Sequence, residues 1–410
     1  MSNIRSHTTD AIVNVRTDTF PKNENEYSTY LFNDRQQRMV DIHNGFAFNI
    51  YRKLLNSLKS DNIALSPICL GMNLEMLANG VSEPARREIF TSIGLNPDSI
   101  SQREVNEFNQ QMFKRLVYLT ELSELSIANS IWTDSGIKLR SDFINACREY
   151  YFASLFSGNL SSPAAKDRIN KWMSSHSRGT IPQFLKEPLP PTSELTLINT
   201  LYFNSRWEYP FDTRLSKKRS FHNISGNTID VDMVCSGLHS PQSFNIPGAC
   251  FRMLSFPYVS WCFEMIFILP DEEKNIADCL NYLTPETFKN IYASRYSSNY
   301  LLYLPKFSAE YKNSFRTTLQ AMGLKPLFKE TKIFGSMMES SPCKVSDIMQ
   351  GISISIYDEQ VMPPELTMAW GAEEMPDNTK NPIVFDRPFM FMIVDRETGL
   401  IMFIGDVREL

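Results

Sequence analysis

A chain of 410 residues, 42% of them apolar and 21% charged, has material for a large packed core and too ordinary a composition for a disordered or fibrous protein. Its net charge of −5, with Lys217-Lys218-Arg219 as the one basic cluster, argues against nucleic acid as a partner. No apolar run approaches the roughly eighteen residues that cross a bilayer, so no membrane span is expected, and Met1 to Asp10 lack the apolar centre of a secretory signal.

Residues 1–44 are polar and aperiodic and read as a flexible tail. No Gly/Ser-rich or charged linker follows, so 45–410 reads as one domain. The spacing of Phe46, Phe48, Ile50, Tyr51, Leu54, Leu55 and Leu58 predicts a buried helix that stops near Ser60. Asn62 to Pro67 reads as a short strand entering a turn, Leu70 to Asn79 as a helix capped by Gly80, and Arg86 to Ile93 as a helix closed by Gly94. Strand-like runs follow at Leu125–Thr133, Leu195–Phe203, Ile229–Val234, Met253–Phe256, Cys262–Leu269, Leu301–Leu304 and Gly351–Ile356. Helical patterns fall at Ser141–Tyr151, Ala164–His176, Ile276–Leu283, Pro285–Ser294 and Phe315–Met322. At the end, Phe389–Val394 and Leu400–Ile404 flank the turn-forming Asp395-Arg-Glu-Thr-Gly399, which predicts a buried hairpin. The result is an α+β domain built on a large sheet.

Between Glu359 and Phe385 lie Pro363, Pro364, Gly371, Pro376 and Pro382 and no sustained period. Structureless loops of that length inside a domain are functional or disordered. Elsewhere, functional chemistry is scarce. The seven cysteines are scattered, odd in number and free of Cys-x-x-Cys, which reads as buried free thiols. No Gly-x-Ser-x-Gly is present, and the histidines (7, 43, 176, 222, 239) lack metal-ligand spacing, so no enzyme activity, cofactor or metal is expected. His176 is expected to face solvent. Two sequons, Asn159-Leu-Ser161 and Asn223-Ile-Ser225, mark Asn159 and Asn223 as glycosylation candidates in a secreted protein.

Several segments, in order, resemble one family. Asn62-Ile-Ala-Leu-Ser-Pro67 with the helix after it, Ala128-Asn-Ser-Ile-Trp132, Ile169-Asn-Lys-Trp172, Leu197-Ile-Asn-Thr-Leu-Tyr-Phe-Asn-Ser-Arg-Trp207 and the closing Phe385-Asp-Arg-Pro388 hairpin are similar to serpins over roughly residues 45–410. The resemblance implies a large central mixed sheet of five strands, two smaller sheets, eight or nine helices and a long exposed reactive loop, with hinge and loop at about 358–384. It also implies that a protease cleaves the loop as bait, forms an acyl-enzyme with it, and is trapped when the loop inserts into the main sheet as a new strand. By the same resemblance Ser66, Asn199 and Gln350 belong to a cluster controlling sheet opening, with Cys69 and Gln350 in place of the usual Ser and His, and Trp207 sits near the top of that sheet.

The hinge departs from the family pattern of Glu-Glu-Gly-Thr followed by an acid and alanines. Aligned without gaps, Glu359 precedes Gln360 at the glycine, Val361 stands at the Thr, Met362 at the acid, and Pro363, Pro364, Glu365 and Leu366 at the alanines. Proline has no N–H, and successive N–H groups of a central strand address opposite neighbours, so adjacent prolines break both ladders. Each break can leave a buried carbonyl unpaired at about 1 to 3 kcal/mol. Gln360 also lacks the backbone freedom of glycine. Family spacing brackets the bait bond within Glu373 to Asp377, at Glu374, Met375, Pro376 or Asp377, a poor match for a trypsin-like pocket; Lys380 is the one basic residue in the loop.

The expected function is therefore a monomeric serpin-fold protein that presents its loop to a protease or another protein partner, does not complete trapping, and acts through partner or ligand binding. The alternative is a working inhibitor of serine endopeptidases by covalent trapping. The resemblance implies an extracellular glycoprotein; a cytoplasmic protein is the alternative.

Overall fold

The computed structural model of the chain describes residues 31–58, 61–118, 124–236, 241–259, 261–298, 300–339, 343–355 and 382–410. Helix α1 spans Asp34–Ser57, so Asp34 to Asn44, expected as tail, are helical. The signal was present in Asn33 and Gln36. The Asn33 side chain accepts from the N–H groups of Arg35 and Gln36, and Gln36 Oε1 accepts from the Asn33 N–H at 3.0 Å, a reciprocal cap. Met39, Val40, His43, Phe46, Ala47, Ile50, Tyr51 and Leu54 then form the buried stripe.

Strand β1 (Ala64–Leu65) leads into α2 (Pro67–Ala78), which is buried along its whole length, as its nearly continuous apolar sequence requires. Helix α3 (Glu83–Ile93) ends on Gly94 at φ 99°, the left-handed cap glycine supplies cheaply. Helix α4 (Gln102–Tyr118) is absent from the sequence reading, although Val105, Phe108, Met112 and Leu116 repeat at helical spacing and are buried; its many polar residues dilute that stripe.

Next come β2 (Glu124–Thr133), α5 (Ser141–Tyr151), β3 (Ser154–Ser157), α6 (Pro163–His176) and β4 (Leu195–Asn204). The middle holds β5 (Asp212–His222), β6 (Thr228–Cys235), β7 (Gln242–Phe244), β8 (Phe251–Pro257) and β9 (Phe263–Pro270). Helices α7 (Ile276–Tyr282) and α8 (Pro285–Ala293) precede β10 (Arg295–Ser297), β11 (Leu302–Pro305), β12 (Ala309–Ser314) and α9 (Arg316–Ala321). The chain closes with β13 (Val345–Ser355), β14 (Ile383–Val384), β15 (Phe389–Asp395) and β16 (Ile401–Val407). Strand β13 starts at Val345, well before the expected Gly351, because its early polar residues Ser346, Asp347 and Gln350 find partners inside the fold.

Nine α-helices occur among the described residues, with three sheets. The main sheet runs β12-β13-β4-β2-β3 and is mixed: β13 is parallel to β4 and β3 parallel to β2, while β12–β13 and β2–β4 are antiparallel. A four-stranded sheet runs β14-β11-β6-β5 and a seven-stranded one β1-β16-β15-β9-β8-β7-β10. By strand number the last exceeds the main sheet, since short strands at both edges extend it. The expected hairpin is β15–β16, with Gly399 at φ 72° in its turn.

The main sheet separates two apolar layers. Leu195, Leu197, Leu201 and Phe203 of β4 face the large core with α1 and α2, while Ile198 faces α6 together with Ala128, Trp132, Ile169, Trp172 and Met173. His176 is half-buried rather than solvent-facing; its Nδ1 lies 2.8 Å from the Trp172 carbonyl, and burial pushes its pKa down. Five cysteines, 69, 147, 235, 279 and 343, are buried, and Cys250 and Cys262 partly so.

At the far end of the core, Asp406 is buried under Tyr51 and Arg408. Its carboxylate accepts from Tyr51 Oη (2.5 Å), the Ile63 N–H (2.9 Å) and Arg408 Nε (3.0 Å). Burial outweighs these donors and pushes the carboxyl up to about 6. Between about pH 6 and 4 the native chain therefore holds a proton that the unfolded chain has released, and stability contributed at this site rises as pH falls through that window. Two pKa units amount to about 3 kcal/mol. Urea unfolding at several pH values should show the wild type gaining on Asp406→Asn from pH 6 to 4; a constant difference would remove this assignment.

Candidate functional site

The seam between β4 and β13 is the one place in the main sheet where two long strands run parallel. Pairing extends from Val345 opposite Leu195 to Ser355 opposite Asn204. A strand entering this seam by turning back from the end of β13 would run antiparallel to both neighbours, exchanging one parallel ladder for two antiparallel ones.

Gln350 and Asn199 stand opposite one another across the seam. Gln350 Oε1 accepts from the Ser66 N–H at 2.8 Å, and its Nε2 donates to the Ser66 carbonyl at 3.0 Å and to Asn199 Oδ1 at 2.9 Å. Asn199 Nδ2 in turn donates to the Cys69 carbonyl at 3.1 Å, and Ser66 Oγ caps α2 by accepting from the Cys69 N–H at 3.4 Å. All four residues are buried. Cys69 and Gln350, which stand in place of the family's usual Ser and His, both take part in this cluster. An amide carries donors and an acceptor on one fork, so Gln350 grips the Ser66 backbone from both sides and still reaches Asn199. Cys69 enters through its backbone, and burial pushes its thiol up to about 12. Asn129, beside Asn199 on β2, extends the row by donating to the Tyr151 carbonyl at 3.1 Å.

The opposite face of the seam is closed by packing. A Cβ on Gly351 would come within 2.8 Å of Met173 Sδ and 3.3 Å of Ile181 Cδ1, so α6 and the segment after it sit directly on β13. The resemblance implies that the helix containing Ile169 and Trp172 packs across the sheet, but it does not single out Gly351 itself; a glycine inside a strand is the available signal, since it marks close approach.

Trp207 lies just past the end of β4. Its ring stacks on Tyr258 (centroids 4.5 Å apart, 15° between planes) and meets Phe211 edge-on at 5.6 Å. It is a buried core aromatic at the end of the seam where β13 stops at Ser355. Burial pushes the Tyr258 hydroxyl well above its usual range.

The hinge residues Glu359 to Pro364 and the bait residues Glu374 to Asp377 lie outside the described residues. Their flanks are placed: the chain leaves the main sheet at Ser355 and rejoins the four-stranded sheet at β14, where Ile383 and Val384 pair with Leu302 and Tyr303. Asn159 is exposed, whereas Asn223 is buried. No group of three metal-ligating side chains and no helix long and apolar enough to cross a membrane occurs among the described residues.

A family model described as Serpin (serine protease inhibitor) matches residues 41–410. The chain belongs to the serpin family. Serpin A3-5 of Bos taurus is 28% identical over 384 residues, covering 91% of each chain. Human plasma serine protease inhibitor is 25% identical over 387 residues, 92% of this chain and 94% of the relative. Among solved structures, human thyroxine-binding globulin superposes with a TM-score of 0.79 at 24% identity, covering 91% of this serpin and 99% of the globulin. The thermophilic serpin Tengpin in its native state superposes with a TM-score of 0.77 at 24% identity over 93% and 95% of the two chains. The expected serpin fold class is thus met.

Proposed function

We propose that this serpin offers the loop expected at about residues 358–384 to a protein partner as bait, does not complete protease trapping, and acts through the partner or ligand it engages. One observation carries the reading: Pro363 and Pro364 fall in the first residues that would have to enter the β4–β13 seam, where a central strand needs a donor toward each neighbour. The closed seam adds to it, because the Gln350 clamp must be broken before any strand enters. In this reading the protein is a monomer, is not an enzyme, and works outside the cell, as the plasma inhibitor's name supports.

A second reading, a trapping inhibitor of serine endopeptidases, is favoured by the names of relatives, including the intracellular coagulation inhibitor 2 of Tachypleus tridentatus, 24% identical over 369 residues. Incubation with trypsin-like, chymotrypsin-like, elastase-like and acidic-residue-specific proteases separates the two. The expected outcome is a cleaved chain with free, active protease. A covalent complex that survives SDS with any of them would replace the first reading by the second.

A further inference from the structure

The two sequons differ in what surrounds them. Asn159 sits in the turn between β3 and α6, and its side chain is exposed. Its Oδ1 accepts from the Ser161 N–H at 3.1 Å and from Ser161 Oγ at 2.8 Å, an Asx turn closed within the sequon itself. Because both donors are two residues away, this geometry needs no tertiary structure. Its Nδ2 makes no hydrogen bond among the described residues.

Asn223 retains 8% exposure, and its Oδ1 accepts from the Leu410 N–H at 2.9 Å. The Ser225 hydroxyl and N–H are both taken by the Glu409 carboxylate, at 3.1 and 2.8 Å. The end of the chain therefore wraps this sequon, and a bulky substituent on Asn223 would have to displace Glu409 and Leu410.

We infer that Asn159, and not Asn223, carries an N-linked glycan in the folded protein. The donor is an oligosaccharide held on a lipid diphosphate. Asn159 Nδ2 forms a bond to the anomeric carbon, the bond from that carbon to the diphosphate oxygen breaks, the diphosphate leaves with the electron pair, and the amide nitrogen loses one proton. The glycan would stand at the end of β3, which is an edge strand of the main sheet, and would obstruct pairing of that edge with another chain.

This inference extends the extracellular part of the proposed function, and its test supplies the route so that the two can fail separately. The full chain is expressed behind a heterologous secretion leader in a eukaryotic cell, and the secreted monomer is treated with an amidase that removes N-linked glycans. The expected result is one glycan-sized mobility shift in the wild type and in Asn223→Gln, and none in Asn159→Gln. Ser161→Ala, which keeps Asn159, should also lose the shift and covers the case in which Asn159→Gln fails to fold. An unshifted wild type, a shift lost in Asn223→Gln, or two glycans on the secreted monomer would each overturn the inference. Where the chain travels with its own N-terminus is read separately, by detecting the untagged protein in medium or cell extract.

Discussion

If, as proposed, proteases cleave this chain and leave it, replacing Gln360 with glycine and Pro363 and Pro364 with alanine should yield a chain that retains them covalently. The argument is kinetic. A full inserted strand matching the ten residues of β4 could gain on the order of 10 kcal/mol from ladder bonds and side-chain burial, more than two unpaired carbonyls cost at about 1 to 3 kcal/mol each. The prolines stand near the start of the segment, however, so their cost falls on the initiating step, before later residues have contributed anything. At about 1.36 kcal/mol per decade, 2 to 6 kcal/mol slows initiation by roughly thirty- to twenty-five-thousandfold, which in the proposed reading lets hydrolysis of the acyl-enzyme win. The triple variant should therefore show an SDS-stable complex with a protease that merely cleaves the wild type. After cleavage it should melt roughly ten degrees or more above its intact form, at about 2.1 cal/mol/K of unfolding entropy per residue, while the cleaved wild type should melt within a few degrees of intact. A wild type that already forms the complex would mean the prolines were passed without penalty.

The sequence carried the fold where one signal dominated. Helix α5 was read at Ser141–Tyr151 as it stands, and β2, β4 and β9 within one residue at either end, because apolar runs bounded by polar turns are hard to misplace. It failed where polarity was absorbed by tertiary partners. Asp34 to Asn44 read as tail because the buried members of that stretch, Met39, Val40, His43 and Asn44, include two polar side chains; Asn44 Nδ2 and Oδ1 bond the Gly399 carbonyl and the Ile401 N–H, far along the chain. The candidate site was half legible. Ser66, Asn199 and Gln350 were found by resemblance, yet the grip of Gln350 on both sides of Ser66 depends on an approach of α2 to β13 that no local pattern encodes. Gly351 beneath Met173 carries a local sign, a glycine inside a strand, but that sign does not name the partner.

The Gln350 clamp should be the strongest single polar contribution to the closed seam. Gln350→Ala removes the partners of the Ser66 N–H and Asn199 Oδ1 together, both inside the fold, and one of two donors to the Ser66 carbonyl, which keeps the Leu70 N–H at 3.2 Å. Orphaned buried groups cost about 1 to 3 kcal/mol each, and neighbours in one network do not add fully, so a loss of about 3 to 5 kcal/mol is expected. For a chain of this length the specific unfolding entropy converts each kcal/mol into roughly 1 °C, which gives a fall in Tm of about 3 to 6 °C. Gln350→Glu should be no milder, since its carboxylate would face the Ser66 carbonyl and Asn199 Oδ1 without a proton to give either. The decisive readout is local. Amides along Leu197–Leu201 and Ile348–Ile352 should exchange faster in Gln350→Ala, while those of the β15–β16 hairpin keep their protection. A double-mutant cycle with Asn199→Ala should return a coupling of about 0.5 to 3 kcal/mol. Uniform loss of protection across all three sheets would show that Gln350 supports the fold at large rather than the seam, and an unchanged Tm would show that the seam is held by Gly351 and α6 packing alone.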